Sequence, residues 1–272
     1  MSTPQSVNWA PWVFGEEGVA LDDAAETFHE ASRISRVALD HRNRSADLLE
    51  RSRELRQTIA RAGARRTEAH TVALPDSILP RLPLDEVVAA RRSRRHYHPR
   101  PVALEELSAT LQTGYGVTGK GPGDVQLRSV PSGGALYPLD AYVAALAVTG
   151  LEQRLYRFDP LRDCLEILRP VARSQLEPLT PYPELVANAS AVVFLTATFW
   201  RSRFKYGQRG YRFALLEAGH VAQNVLLAAT ALGLASVPLG GFFDRQVNDL
   251  LEVDGLHEAA LYVIPLGRPE EN

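Results

Sequence analysis

Cysteine is almost absent: Cys164 stands alone in 272 residues, which excludes an internal disulfide and any zinc site built from several thiolates. No metal is expected, and a reducing compartment suits the chain. Lysine is nearly missing too, since Lys120 and Lys205 are the only two among basic residues that are otherwise arginine. An excess of positive charge is lacking. The formal net charge is -2 and the pI about 6.4, so the clustered basic surface that a nucleic-acid partner requires is not expected. Long apolar runs are absent as well. The N-terminus has acidic residues and tryptophans where a signal peptide needs a basic start and an apolar core, and no run reaches the roughly 20 residues of a membrane span. A cytoplasmic protein with neither membrane nor nucleic acid as partner is the expectation.

Several signatures are missing. There is no G-x-G-x-x-G or G-x-x-x-x-G-K-[ST] loop, which disfavours a Rossmann dinucleotide site and an NTPase. Neither H-E-x-x-H nor the G-x-S-x-G frame of a hydrolase appears.

With 45% hydrophobic residues, the chain can bury a large core. Residues 1 to about 20 are rich in Pro, Gly and Trp without a period. From Leu21 to about Arg66, Phe28, Ile34, Val37, Leu48, Leu49, Leu55 and Ile59 recur at spacings near three and four, the pattern of an amphipathic helical arm. Its apolar stripe suits packing on the main body or a second subunit, or docking of a partner. Pro75, Pro80 and Pro83 punctuate a linker. The division is therefore an arm and linker over 1–80 and a main domain over 81–272.

In the main domain the pattern predicts short helices over Leu84–Arg92 and Leu104–Gly114, the second with Glu105 and Glu106 at its positive end. Ala141–Val148 is an apolar run. Leu155–Phe158 and Cys164–Leu168 read as a hairpin around Asp159 and Pro160, and Ala191–Phe199 as a β-branched strand. Tyr211–Leu232 is a helix apolar around most of its circumference, which suits the domain centre or a dimer interface. Ala259–Pro265 closes the chain as a strand. Strands and helices without regular βαβ alternation predict an α+β fold.

Three segments bear chemistry. Arg91-Arg92-Ser93-Arg94-Arg95 offers guanidinium groups and a hydroxyl that can hold one phosphate by charge-assisted bonds, or form a solvated basic helix end. Pro131-Ser132-Gly133-Gly134 and Pro238-Leu239-Gly240-Gly241 are glycine-paired turns whose bare backbone lets a flat ligand approach. A mononucleotide with a planar ring needs all three. Glu217 and His220, one turn apart on the long helix, read as an interface pair or a substrate contact.

These residues resemble a known family. Arg91-Arg92-Ser93-Arg94-Arg95 is similar to the R-x-S-x-[RK] opening of the nitroreductase superfamily, and the two glycine-paired turns to its flavin loops. Gln223-Asn224-Val225-Leu226-Leu227-Ala228-Ala229 resembles the family's central dimer helix. Phe28-His29-Glu30-Ala31-Ser32, Ser132-Gly133-Gly134-Ala135-Leu136-Tyr137-Pro138 and Lys205-Tyr206-Gly207-Gln208-Arg209-Gly210-Tyr211-Arg212 resemble SagB-type azoline dehydrogenases, which turn thiazolines and oxazolines into thiazoles and oxazoles. The resemblance implies a nitroreductase-like α+β homodimer with a central, mostly antiparallel sheet, a helical N-terminal arm and FMN at the subunit interface. It also implies a peptide substrate and association with a cyclodehydratase.

Carried over by the resemblance, Arg91, Ser93 and Arg95, with Arg92 as helper, would hold the phosphate and the polar edge of the ring. Ser132, Gly133 and Gly134, from the partner subunit, would lie along the isoalloxazine, with Pro238, Gly240 and Gly241 elsewhere on it and Arg268 as a further phosphate contact. Lys205 and Tyr206 would be catalytic, one of them the base. Arg201, Arg203, Arg209 and Arg212 supply a cationic setting that favours tyrosinate and neutral lysine alike. Two other readings share the chain: a reductase using NAD(P)H on nitro compounds or dehydroamino acids, and a non-catalytic scaffold of a peptide-modifying complex.

Overall fold

The computed structural model describes residues 24–34, 51–52, 70–76, 79–122 and 125–270. The chain divides into two units, Met1–His41 and Arg42–Asn272. In the first, helix α1 (Ala24–Ala31) carries the Phe28–Ser32 stretch. The Ser32 hydroxyl donates to the Phe28 and His29 carbonyls and satisfies two acceptors of the helix end. The rest of the expected arm, residues 21–23, 35–50 and 53–66, lies outside the described residues.

The second unit begins with β1 (Thr71–Ala73), α2 (Leu84–Ala90), β2 (Tyr97–His98), β3 (Val102–Ala103) and α3 (Leu104–Tyr115). The short strands β4 (Val117–Lys120) and β5 (Gln126–Arg128) follow, then β6 (Leu139–Ala145), β7 (Val148–Thr149), β8 (Arg154–Asp159) and β9 (Cys164–Pro170). After α4 (Glu184–Ala187) come β10 (Ala191–Thr198), α5 (Trp200–Tyr206), α6 (Gln208–Ala231), β11 (Ala235–Ser236), α7 (Asp244–Leu251) and β12 (Glu258–Pro269). Among the described residues no helix is long and apolar enough to cross a membrane.

The main sheet runs β1-β9-β8-β6-β10-β12-β11, with β2 added on β12, and its pairings are antiparallel. The α+β expectation holds. The β8–β9 hairpin turns where the Asp159 carboxylate accepts the Leu161 and Arg162 amides at 2.9 and 3.2 Å, the local bond that makes Asp a turn residue. Two details differ from the sequence pattern. The apolar run Ala141–Val148 breaks at Leu146, and Val148–Thr149 pairs in parallel with β3 instead. Thr71–Ala73, within the segment read as linker, is the edge strand on β9.

Strand β10 shows why its run is apolar throughout. Successive side chains point to opposite faces, and here both faces are covered. Ala191, Val193, Leu195 and Ala197 join α3 and α6 in one core through Leu107, Leu111, Ala218, Val221 and Val225. Val192 and Phe194 join α7 in the other through Val247, Leu250 and Leu251. On α3, the Glu106 carboxylate accepts the Ala103 amide at 2.8 Å, capping the helix that lines the first core.

Helices α5 and α6 cross with no room between their backbones. A Cβ at Gly210 would stand 2.6 Å from the Ser202 carbonyl carbon and oxygen and from the Arg203 nitrogen. Gly210→Ala is therefore expected to cost about 1–3 kcal/mol, the range for overpacking a filled site. Urea unfolding measures it, and a midpoint equal to the parent's would mean the crossing has slack.

Candidate active site

Lys205 and Tyr206 occupy the last turn of α5. The first turn of the same helix is anchored by a buried ion pair: Arg201 Nη2 lies 2.9 Å from Asp140 Oδ2 on β6, both side chains buried. Arg201 is therefore neutralised, and the cationic setting of the pair falls to its neighbours. Arg203 is exposed, and the Arg209 guanidinium sits 6.0 Å from the Phe213 ring centre. Lys205 Nζ lies 5.4 Å from the Tyr206 ring centre, and Tyr206 meets Phe213 edge to face at 4.9 Å.

The Gly133–Gly134 turn forms an arch against this pair within the same protomer. A Cβ on Gly134 would stand 2.7 Å from Tyr206 Oη and 3.3 Å from Lys205 Nζ, and Gly134 has φ +67. A Cβ on Gly133 would stand 3.1 Å from Phe213 and 3.5 Å from Tyr206 Cε2. The left-handed backbone of Gly134 demands glycine there. Ala135 (φ 52) and Tyr137 (φ 45) are left-handed as well, which is costly for residues with a Cβ.

Under the arch lies a polar cluster that the sequence did not reveal. Glu217 on α6 accepts the Tyr115 hydroxyl at 2.7 Å and a hydrogen bond from Ser132. Ser132 Oγ in turn accepts the Tyr137 amide at 2.9 Å, and Tyr115 Oη the Leu139 amide at 3.3 Å. The Arg128 guanidinium lies over the Tyr115 and Tyr137 rings, 4.2 and 4.7 Å from their centres. Glu217 turns to Tyr115, whereas His220 is exposed, so the i,i+3 pair read from the sequence is replaced by this one. The signal was there: Glu217 is the sole acidic residue in the apolar stretch from Tyr211 to Leu232.

The arginine cluster follows α2 as a separate half of the site. The Arg94 amide donates to the Ser236 carbonyl on β11 at 3.0 Å, which ties the cluster to the strand leading into Pro238–Gly241. Arg92, Ser93, Arg94 and Arg95 line a cleft of about 380 Å³ with His96, Pro269 and Glu270. Ser93 is exposed, and Arg91 half-buried. Gly240 and Gly241 are exposed, and a Cβ on either would meet open space. Pro238 is half-buried beside them. Arg268 is committed elsewhere. Its two terminal nitrogens each donate to a Glu106 carboxylate oxygen at 2.7 Å, and Nε to the Pro101 carbonyl at 3.3 Å. Exposed guanidinium groups beside a hydroxyl, and glycine backbone open to a planar surface, fit a phosphorylated flat ring such as FMN.

Burial pushes the Glu217 carboxyl up from its ordinary 4.5 to about 7, against the lowering by the Ser132 and Tyr115 bonds and by Arg128 and Arg201. Because the folded value is the higher, this group's stabilising contribution is complete below about pH 4.5 and is lost as pH rises through about 7. Relative to Glu217→Gln, the parent should lose at most about 3 kcal/mol of unfolding free energy across that window and stay level above it. Urea titrations at stepped pH check this, and parallel curves for the two proteins would contradict it.

The model of the nitroreductase family matches residues 88–268. A nitroreductase-named protein of Methanocaldococcus jannaschii is 37% identical over 201 residues, covering 74% of this chain and 97% of that protein. The microcin B17-processing protein McbC of Escherichia coli is 34% identical over 154 residues, covering 52% of this chain and 54% of its own length. The structure of the E. coli microcin synthetase McbBCD complex with truncated pro-MccB17 bound contains a chain of the same fold. Its TM-score is 0.58 at 22% identity, covering 88% of this chain and 99% of that one.

Proposed function

The chain belongs to the nitroreductase family, and on that footing we propose that it is an FMN-dependent dehydrogenase oxidising thiazoline or oxazoline rings of a modified peptide to azoles. One observation carries the reading: the Gly133–Gly134 arch leaves no side chain between its backbone and the Lys205–Tyr206 pair. Members of this family typically bind FMN, and the name of the McbC relative supports a peptide substrate.

In this reading Arg91, Arg92, Ser93 and Arg95 hold the FMN phosphate, and Pro238, Gly240 and Gly241 border the ring. Arg268 is left out of the phosphate site because Glu106 occupies its guanidinium. Ser132, Gly133 and Gly134 border the ring from the partner subunit of a homodimer, and Leu215 and Leu216, 42% and 61% exposed on α6, supply an apolar face for that association. Bound FMN supplies a two-electron acceptor for hydride at its N5, with dioxygen as the terminal oxidant.

The protein's own task is the other half of the oxidation. A proton leaves the ring carbon attached to the carbonyl as a hydride leaves the adjacent ring carbon, and two electrons and the ring's second double bond are thereby accounted for. Lys205 Nζ or Tyr206 Oη accepts that proton.

A second reading is favoured by the M. jannaschii relative, whose name is that of a nitroreductase. Anaerobic mixing with NADPH separates the two, since rapid bleaching of the flavin marks a reductase. For the dehydrogenase, the purified protein is expected to be yellow with FMN. Lys205→Ala and Tyr206→Phe should stay yellow and lose azoline oxidation by about a hundredfold, the scale of a general base. Full activity in both variants would discard the assignment.

A further inference from the structure

One buried carboxyl group beneath the arch has no part in the reaction above. Glu217 is 2% exposed, and it is the point on which two hydroxyl groups converge, Tyr115 from α3 and Ser132 from the start of the arch. Each hydroxyl has a second duty. Ser132 Oγ accepts the Tyr137 amide, and Tyr115 Oη accepts the Leu139 amide, so the far side of the arch hangs from the same two oxygens. A hydroxyl that donates to a carboxylate has its lone pairs aimed elsewhere, and one acid therefore sets the direction of both acceptors.

The segment so held would not keep its shape unaided. Ala135 and Tyr137 carry positive φ, and such backbone persists only where surrounding contacts over-determine it. Nor can it relax quietly, because Gly134 has Tyr206 Oη and Lys205 Nζ directly against it. The other charged and titratable groups facing the cluster are Arg128 of β5, over the Tyr115 and Tyr137 rings, and Arg201 of α5, paired with Asp140 of β6.

We propose that Glu217 is a positioning residue for the Lys205–Tyr206 pair: through Ser132 and Tyr115 it fixes the left-handed arch, and the arch fixes where the phenol and ammonium groups stand. The inference rests on the reading of that pair as the working site. It adds a residue that touches neither substrate nor cofactor and yet sets the geometry of the base.

The test uses the full-length FMN-loaded protein and three variants, Glu217→Leu, Glu217→Gln and Tyr115→Phe. Amide hydrogen exchange is followed over residues 132–139, Tyr206 is titrated by ultraviolet difference against Tyr206→Phe, and kcat and KM are measured with a synthetic azoline-containing peptide. Glu217→Leu should speed exchange at Tyr137 and Leu139, shift the Tyr206 titration, and lower kcat about tenfold to a hundredfold while KM holds, as expected for a misplaced reacting group. Glu217→Gln keeps an acceptor oxygen and should recover most of kcat. Tyr115→Phe should release Leu139 and fall between them, and with Glu217→Gln it decides the matter if Glu217→Leu does not fold. Faster exchange with the Tyr206 titration and kcat at parent values would reduce Glu217 to a structural support and overturn the proposal, as would unchanged exchange. A parent protein inert toward azolines would sink the functional reading, while exchange and the Tyr206 titration would still decide the role of Glu217.

Discussion

The backbone crossing of α5 over α6 at Gly210 is the constraint on which the rest depends. Helix α6 is fixed first, because Ala214, Ala218, Val221, Ala222 and Val225 are locked in the core beneath the sheet. Helix α5 can then approach only as closely as two main chains permit, and the crossing uses all of that allowance. A one-turn reach from this contact carries Lys205 and Tyr206 to the arch. The arch is itself anchored through α6, by Glu217, so both halves of the constellation take their positions from one helix. Residues placed by a packed element hold their geometry better than residues on a free loop.

Buried charge is spent at two other places in the same unit. Arg157 donates to Glu166 at 2.8 Å inside the β8–β9 hairpin, and Arg162 joins Glu166 and Asp159 at 2.6 and 2.7 Å. Arg201 and Asp140 do the same between α5 and β6. Such pairs add little net stability over apolar substitutes, yet removing one partner strands the other at a cost of about 3–5 kcal/mol. Their value here is specificity of arrangement. The hairpin cannot slip by one residue without burying an unpaired ion, and α5 cannot rotate about its axis without losing Asp140.

Legibility in the sequence followed the range of each interaction. Helices α3 and α6 were readable from recurring apolar residues and strand β10 from an apolar run rich in β-branched residues, since each reports burial one element at a time. The turn at Asp159 was readable because its bonds are local. The arginine cluster and the glycine pairs announced themselves by composition. What stayed hidden was pairing across distance: Arg201 with Asp140, Glu217 with Tyr115, and Arg268 with Glu106 are joined only by the folded chain, and even the isolated acid Glu217 gave no sign of which residue it would meet. The α5 helix that carries Lys205 and Tyr206 is only seven residues long, too short for a periodic pattern to announce it. Gly210 is there to let two helices touch, which a linear reading registers only as flexibility.

Strand β1 forms one edge of the main sheet. Three residues, Thr71–Ala73, occupy the outer rim of the sheet and satisfy the amides and carbonyls of Cys164–Glu166 that would otherwise face water. An expression clone trimmed at the proline-rich stretch near residue 80 would remove that rim. The uncovered β9 would then offer an open, partly apolar ladder to any other extended chain, the usual route to sticky, self-associating preparations.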